Sequence, residues 1–370
     1  MKTSQKINSE IGVEVMETAE HAIVVAVEAP AAEGTTEREH AAAPGADGGG
    51  VIREQKLTLF RYMEGVIGKL REAGKERTAE TYTSALNSFR RFRNNTDINL
   101  TDISPDIIRE YQTSLANRGV STNTSSFYIR VLRAAFNKAI DDELIEARNP
   151  FKRVYTGVDK TPKRALSVDT IKKIRHLDLN DTPAVAYARD IFMLSFYLRG
   201  MSFVDMAYLK TADLKDGYIT YRRHKTGQQL TIKWTPEMQA ILDRYYPSSP
   251  TSQGATPNRV GEYLLPIMEG SVKSRRGRSA STERSRYKNV GFNVNHNLKT
   301  VARKLGLTTS LTLYVARHSW ATAAKTNGIP INVISEAMGH NSETTTRIYL
   351  TSLDNTEIDA ANDKILSSLL

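Results

Sequence analysis

The sequence predicts a mainly α protein with a small antiparallel β-sheet, divided into a helical domain and a second, α+β domain. Three observations predict it. Apolar residues recur at spacings of three and four from Lys56 to about Tyr155, the period of a helix with one buried face. A single stretch, residues 217–232, alternates at strand period around a polar turn. Between the two patterns, Asn149-Pro150-Phe151 stops a helix and opens a basic stretch with little apolar content, the composition of a linker. At 370 residues, 40% of them hydrophobic, the chain is long enough for two cores and a tail.

Residues 1–54 form the predicted tail. Its first fifty residues contain no phenylalanine, tyrosine or tryptophan and end in Ala41-Ala42-Ala43-Pro44-Gly45-Ala46-Asp47-Gly48-Gly49-Gly50, so a disordered arm is expected. The helical domain is read over 55–155. Leu59, Tyr62, Met63, Val66, Ile67 and Leu70 make one apolar face; Tyr82, Leu86, Phe89 and Phe92 make a second. Ser104-Pro105-Asp106 is an N-cap followed by proline in the first turn, opening a third helix with Ile107, Ile108, Tyr111 and Leu115 that Gly119 ends. Ser121 opens a fourth, running to about Ile140. The linker is placed at 156–166, and Ser167 caps the first helix of the second domain, read over 167–355. Within it, Gly217 to Tyr221 and Gln229 to Ile232 predict a hairpin with Lys225 near its tip. Residues between Tyr246 and Lys288, with seven Lys/Arg from Lys273 on, read as a charged loop. A final helix over 356–370 carries Ile358, Ala361, Ile365 and Leu369 on one face.

Composition narrows the chemistry. The chain has no cysteine, which excludes disulfides, thiolate zinc sites and cysteine catalysis and fits a reducing compartment. No apolar run approaches membrane length, so no membrane partner and a cytoplasmic location are expected. The net charge is +10, but residues 1–50 carry three Lys/Arg against nine Asp/Glu, leaving +16 on the remainder. Such a surplus favours a polyanion, since each phosphate contact releases counterions; on charge alone it serves solubility equally well.

Near the C-terminus, Tyr314-Val-Ala-Arg317-His318-Ser319-Trp320 precedes Gly339-His340, and Tyr349 follows that histidine by nine residues. With Arg199 upstream, this set suits phosphate chemistry. Two guanidiniums fork onto the non-bridging oxygens of one phosphodiester and stabilise the added charge of five-coordinate phosphorus. His340 donates to the same oxygens. A phenol with an ordinary pKa of about 10 is a poor nucleophile, but neighbouring cations favour its phenolate.

Arg199, Lys225, Tyr314-x-x-Arg317, Gly339-His340 and Tyr349 occur in the order of the motif box of the tyrosine recombinase (phage integrase) family, which residues 55 to 370 resemble. The resemblance implies an all-helical core-binding domain plus an α+β tyrosine-recombinase catalytic domain. It further implies a site-specific recombinase that works through a covalent 3′-phosphotyrosine at Tyr349, with Lys225 as general acid for the leaving 5′ oxygen. The implied partners are double-stranded DNA, a tetramer of this chain on two DNA sites through exchange of the last helix, and accessory DNA-bending proteins. No cofactor is expected, neither ATP nor metal. Expected DNA contacts are Arg90, Arg91, Asn123, Thr124, Ser125, Arg130 and Arg133 in the first domain, Lys163 and Arg164 in the linker, and Arg223, which competes with Lys225 for phosphate. Asp205 is expected to orient Arg199. Tyr314 departs from the pattern, standing where the family has histidine. A phenol still donates a hydrogen bond but carries no positive charge at neutral pH. That departure keeps a non-catalytic DNA-binding accessory protein open as an alternative, beside topoisomerase-like strand relaxation.

Overall fold

A computed structural model describes residues 57–159, 164–246, 262–268, 283–350 and 366–367, without the side chains of Ile348 and Tyr349. The expected tail, Lys163 and the expected terminal helix, apart from residues 366–367, lie outside the described residues. The chain divides into two compact units, Met1–Thr161 and Pro162–Leu370.

Among the described residues, the first unit is built from four α-helices: α1 (Leu59–Glu72), α2 (Glu76–Phe92), α3 (Pro105–Asn117) and α4 (Thr122–Asp141). The caps act as the sequence predicts. Ser104 Oγ accepts from Ile107 N ahead of Pro105, and Ser121 Oγ accepts from Thr124 N, satisfying amides that a helix leaves open. Phe89 and Tyr111 meet edge-on at 5.0 Å in the core. The Tyr111 hydroxyl, fully buried, donates to Ser88 Oγ at 2.7 Å. Each such side chain contributes about 1.5–3 kcal/mol by burial, more than exposed ion pairs such as Arg109–Asp106, which are worth about 0–1 kcal/mol.

The second unit is built around α6 (Pro183–Tyr197), preceded by α5 (Val168–His176). Ile191, Phe192, Met193 and Leu194 are buried in succession, so α6 is covered on every side, chiefly by α9 (Glu283–Lys304) and α10 (Leu313–Thr326). Asp190, buried with them, is paired by Arg189 at 2.6 Å, Arg244 at 2.8 Å and the Tyr245 hydroxyl at 2.9 Å. After α7 (Phe203–Ala207) comes one antiparallel sheet in the order β1 (Leu214–Lys215), β2 (Tyr218–Arg222), β3 (Gln229–Lys233). Ile219 pairs with Ile232 and Tyr221 with Leu230; all four are buried, while the alternate positions face outward. The other α-helices among the described residues of this unit are α8 (Pro236–Tyr245), α11 (Ile331–Ala337) and α12 (Glu343–Tyr349).

The segment read as a charged loop is partly ordered core. Tyr263 bridges Lys210, and Leu264, Leu265, Ile267 and Met268 are buried. Arg284, Arg286 and Lys288 belong to α9. Lysine and arginine are good helix formers, and the buried Gly291, Val294, Leu298 and Val301 supply the face that docks this helix. Among the described residues, no helix is long and apolar enough to cross a membrane.

Candidate active site

Arg199 is presented by a strained turn. The chain leaves α6 through two successive left-handed residues, Arg199 at φ 59° and Gly200 at φ 72°. Gly200 N donates to Ser195 O at 2.8 Å, and Ser195 Oγ donates to Met201 O at 2.9 Å, which closes the turn. A residue with a Cβ loses about 1–2 kcal/mol in this region, so the surroundings impose the conformation on Arg199. Arg199 is half-buried, and its guanidinium is bonded to no other described residue.

Gly200 brings that turn against α10. A Cβ at position 200 would lie 2.7 Å from Arg317 Cα. The Gly200 carbonyl accepts from Arg317 Nη1 at 2.6 Å. Arg317, 6% exposed, also donates from Nη2 to Met338 O at 2.8 Å and lies 2.7 Å from His340 Nε2. His340 follows Gly339, which is left-handed at φ 66° after α11. Burial, then the charges of Arg317, Arg223 and Lys225, push the His340 pKa down to about 3. The imidazole is therefore neutral at neutral pH.

Lys225 stands exposed in the turn between β2 and β3. Partial burial of its ammonium among surrounding residues, followed by the charges of Arg223 and Arg317, lowers its pKa below the ordinary lysine range. A lowered pKa suits a proton donor, because efficient transfer needs a pKa near the working pH. Asp205 holds this turn in place. Its carboxylate, 3% exposed, accepts from His224 N at 2.8 Å and from Ser202 Oγ at 2.7 Å, with His224 Nδ1 at 3.2 Å and Arg223 Nε at 3.9 Å. Burial alone would raise the carboxyl, but the bonds from His224 and Ser202 and the Arg223 charge outweigh it and hold the pKa below the ordinary range. The expectation that Asp205 orients Arg199 is thereby corrected. Ser202 caps α7 and turns the carboxylate toward the hairpin.

Arg223 also differs from expectation. It is 8% exposed, and its Nη1 donates to the Gly339 carbonyl. A Cβ on Gly339 would fall 2.7 Å from Arg223 Cδ. In the free unit Arg223 fastens the hairpin to the turn that carries His340. Tyr314 precedes Arg317 by almost one turn of α10 and is half-buried, edge-on to His318 at 4.6 Å. It packs in a small cluster with Ile334, Met338 and Leu350. Tyr349 closes α12; its side chain lies outside the description. Sequence reasoning passed over Thr346, fully buried, whose Oγ1 is 2.8 Å from His340 Nδ1. The available signal was its place one helical turn before Tyr349. It also passed over Ser319, whose hydroxyl accepts from Leu166 N at 2.9 Å and ties the start of the unit to α10.

In the first unit the expected contacts separate. Thr124 and Ser125 are each 6% exposed, because the face of α4 that carries them packs inward; neither is offered to DNA in the free unit. Asn123 is engaged with Asp159, donating from Nδ2 to its carbonyl at 3.0 Å and accepting its amide at 2.7 Å. Arg133 Nη1 donates to Thr156 Oγ1 at 3.3 Å, and Ser126 Oγ to Gly157 O at 2.6 Å. Residues 156–159 are thus laced onto α4. Arg90 pairs with Glu64 and lies over the Phe60 ring, Arg91 is exposed, and Arg130 and Arg164 are half-buried.

Two family models match, the phage integrase SAM-like domain over residues 58–156 and the phage integrase family over residues 165–356. The chain is 26% identical over 239 residues to the tyrosine recombinase XerA of Pyrococcus furiosus, covering 64% of this chain and 72% of that one. It is 21% identical over 285 residues to XerC of Leptospira interrogans, covering 76% and 85%. Its fold is similar to that of a lambda integrase tetramer bound to a Holliday junction, at TM-score 0.60, 19% identity and 82% of each chain. It is also similar to the Tn1549 transposon integrase in complex with transposon right end DNA, at TM-score 0.57, 15% identity, 84% of this chain and 100% of that one. With residues 165–356, more than half of the chain, matched by the family model and the arginine, lysine, histidine and tyrosine positions of the motif box lying within that match, the chain belongs to the phage integrase family of tyrosine recombinases.

Proposed function

We propose that this site-specific DNA recombinase cuts one strand through Tyr349, with Arg199, Arg317 and His340 on the scissile phosphate and Lys225 as general acid. The observation that carries the reading is the bonding of Arg317 to the Gly200 carbonyl and its 2.7 Å approach to His340. These join the Arg199 turn, α10 and the turn leading to the Tyr349 helix. The Tyr349 phenol gives up its proton to solvent as its oxygen attacks phosphorus. The two guanidiniums stabilise the five-coordinate state, and the 5′ oxygen departs with a proton from Lys225, whose lowered pKa supports that role. The resulting 3′-phosphotyrosine conserves the bond energy, and the 5′ hydroxyl of a partner duplex attacks it, breaking the phosphorus–tyrosine bond and rejoining the strand. Cationic side chains supply the charge stabilisation, and neither ATP nor metal enters the scheme.

The partner is double-stranded DNA, and the working assembly is a tetramer on two sites, with accessory bending proteins as further partners. The tetrameric arrangement of the similar lambda integrase on a Holliday junction supports this assembly. A chain without cysteine fits work in the cytoplasm. Exposed Arg91 and half-buried Arg130, Arg133 and Arg164 are the proposed phosphate contacts. Lys163 belongs with them by sequence.

Covalent trapping tests the reading. Nicked duplexes carrying candidate sites, incubated with wild type and with Tyr349→Phe, are resolved on denaturing gels. A DNA-linked band in wild type alone is expected. Its absence from DNA that the protein binds specifically would remove Tyr349 from the place of nucleophile.

A further inference from the structure

Thr346 has no part in the strand-transfer scheme, yet its hydroxyl is fully buried on α12, three residues before Tyr349. Its Oγ1 lies 2.8 Å from His340 Nδ1, and the other ring nitrogen, Nε2, lies 2.7 Å from Arg317 Nη2. A guanidinium only donates, so Nε2 accepts. A neutral imidazole has one proton, which must then sit on Nδ1 and be donated to Thr346. The reverse assignment would set two donors against each other 2.7 Å apart. Among the described residues, the charged groups facing the ring are Arg317 from α10 and Arg223 and Lys225 from the hairpin, all cations, so they keep the ring neutral in the free site.

We propose that Thr346 is a positioning residue: by accepting the Nδ1 proton it locks His340 in one tautomer, with Nε2 aimed at Arg317 and at the incoming phosphate. The inference rests on the reading of His340 as a phosphate ligand. When the phosphodiester arrives, Arg317 Nη2 turns from Nε2 to a non-bridging oxygen, and as phosphorus becomes five-coordinate and gains charge the freed Nε2 takes one proton from solvent. The imidazolium then donates from both nitrogens, to Thr346 and to a non-bridging oxygen, without rotation of the ring. Without the hydroxyl, Nδ1 loses this acceptor, and the bond that fixes the tautomer is gone. The same bond ties the turn at His340 to the helix that ends in Tyr349.

The full chain serves for the test. Nitrogen NMR of histidine-labelled wild type reads the tautomer directly, and a neutral His340 ring protonated on Nδ1 is expected at neutral pH. A ring protonated on Nε2, or a charged ring, in the free protein overturns the proposal whether or not any variant folds. Thr346→Val and Thr346→Ser are then compared in single-turnover adduct formation on a nicked duplex across the neutral pH range, with DNA affinity followed by mobility shift. Thr346→Val is expected to slow adduct formation roughly tenfold, about the worth of one net hydrogen bond. Affinity stays unchanged, the pH profile moves, and Thr346→Ser restores wild-type behaviour. A valine variant that melts earlier yet keeps the wild-type rate and pH profile also overturns it. Failure of the Tyr349 reading shows separately, as an adduct that survives Tyr349→Phe, and leaves the tautomer measurement intact.

Discussion

The carbonyl of Gly200 accepts a hydrogen bond from Nη1 of Arg317 at 2.6 Å, across 117 residues of sequence. The two backbones are so close that a Cβ at position 200 would overlap Arg317 Cα at 2.7 Å. Gly200→Ala therefore meets both a left-handed φ of 72° and backbone that cannot yield. A loss of about 2–4 kcal/mol is expected, read as a lower urea midpoint, together with loss of cleavage because Arg317 is displaced.

Strain at Arg199 separates function from stability. Arg199→Ala and Arg199→Gly both remove the guanidinium and should both abolish adduct formation. Glycine alone accepts φ 59° without steric cost, so Arg199→Gly should be more stable than Arg199→Ala by about 1 kcal/mol. Equal unfolding midpoints would show that the turn relaxes once arginine is gone.

Asp205 reaches the chemistry through the hairpin. Asp205→Ala leaves Arg223 without its buried counter-charge and His224 N without its acceptor, at a cost of about 3 kcal/mol. Cleavage should fall with DNA binding retained. A substrate whose leaving 5′ atom is sulfur needs no proton; it should restore cleavage both to this variant and to Lys225→Ala.

Acid should weaken the fold through the same carboxylate. Its folded pKa lies below the ordinary value, so the stability it contributes is present above the ordinary carboxylate range and is lost as pH falls through the depressed folded value. Asp205→Asn should flatten that part of the stability profile, as followed by urea unfolding at a series of pH values.

His340 acts with the same sign in a higher window. The unfolded chain takes up its proton near the ordinary 6.5, whereas the folded site resists until about pH 3. Stability present above pH 6.5 is lost as pH falls toward 3, at most about 1.4 kcal/mol per unit. His340→Gln should remove this slope; an unchanged slope would assign it to carboxylates.

What was legible in the sequence was local. Ser104, Ser121 and Ser167 cap the helices they precede, because a cap bond spans only three residues. The hairpin is legible because its inward residues, Ile219, Tyr221, Leu230 and Ile232, alternate. Arg223 misleads for the opposite reason: its acceptor at Gly339 is 116 residues away, and only the folded chain shows that it points inward. Thr124 and Ser125 look like DNA contacts because they are polar near a helix start, yet their face of α4 is buried. The start of α9 was missed because its first turns are basic. The spacing of Gly291, Val294, Leu298 and Val301 was the signal, and it begins only after the charges.

Arg317 is held by the main-chain carbonyls of Gly200 and Met338, so these two contacts do not depend on the chemistry of any side chain. Substitution at position 338 can change its packing while the acceptor remains. A one-residue insertion or deletion in either turn would move a carbonyl out of register even if every motif residue were kept. Outside Gly200, whose missing side chain the close approach requires, such a holding device depends more on the length of the two turns than on the identity of their residues.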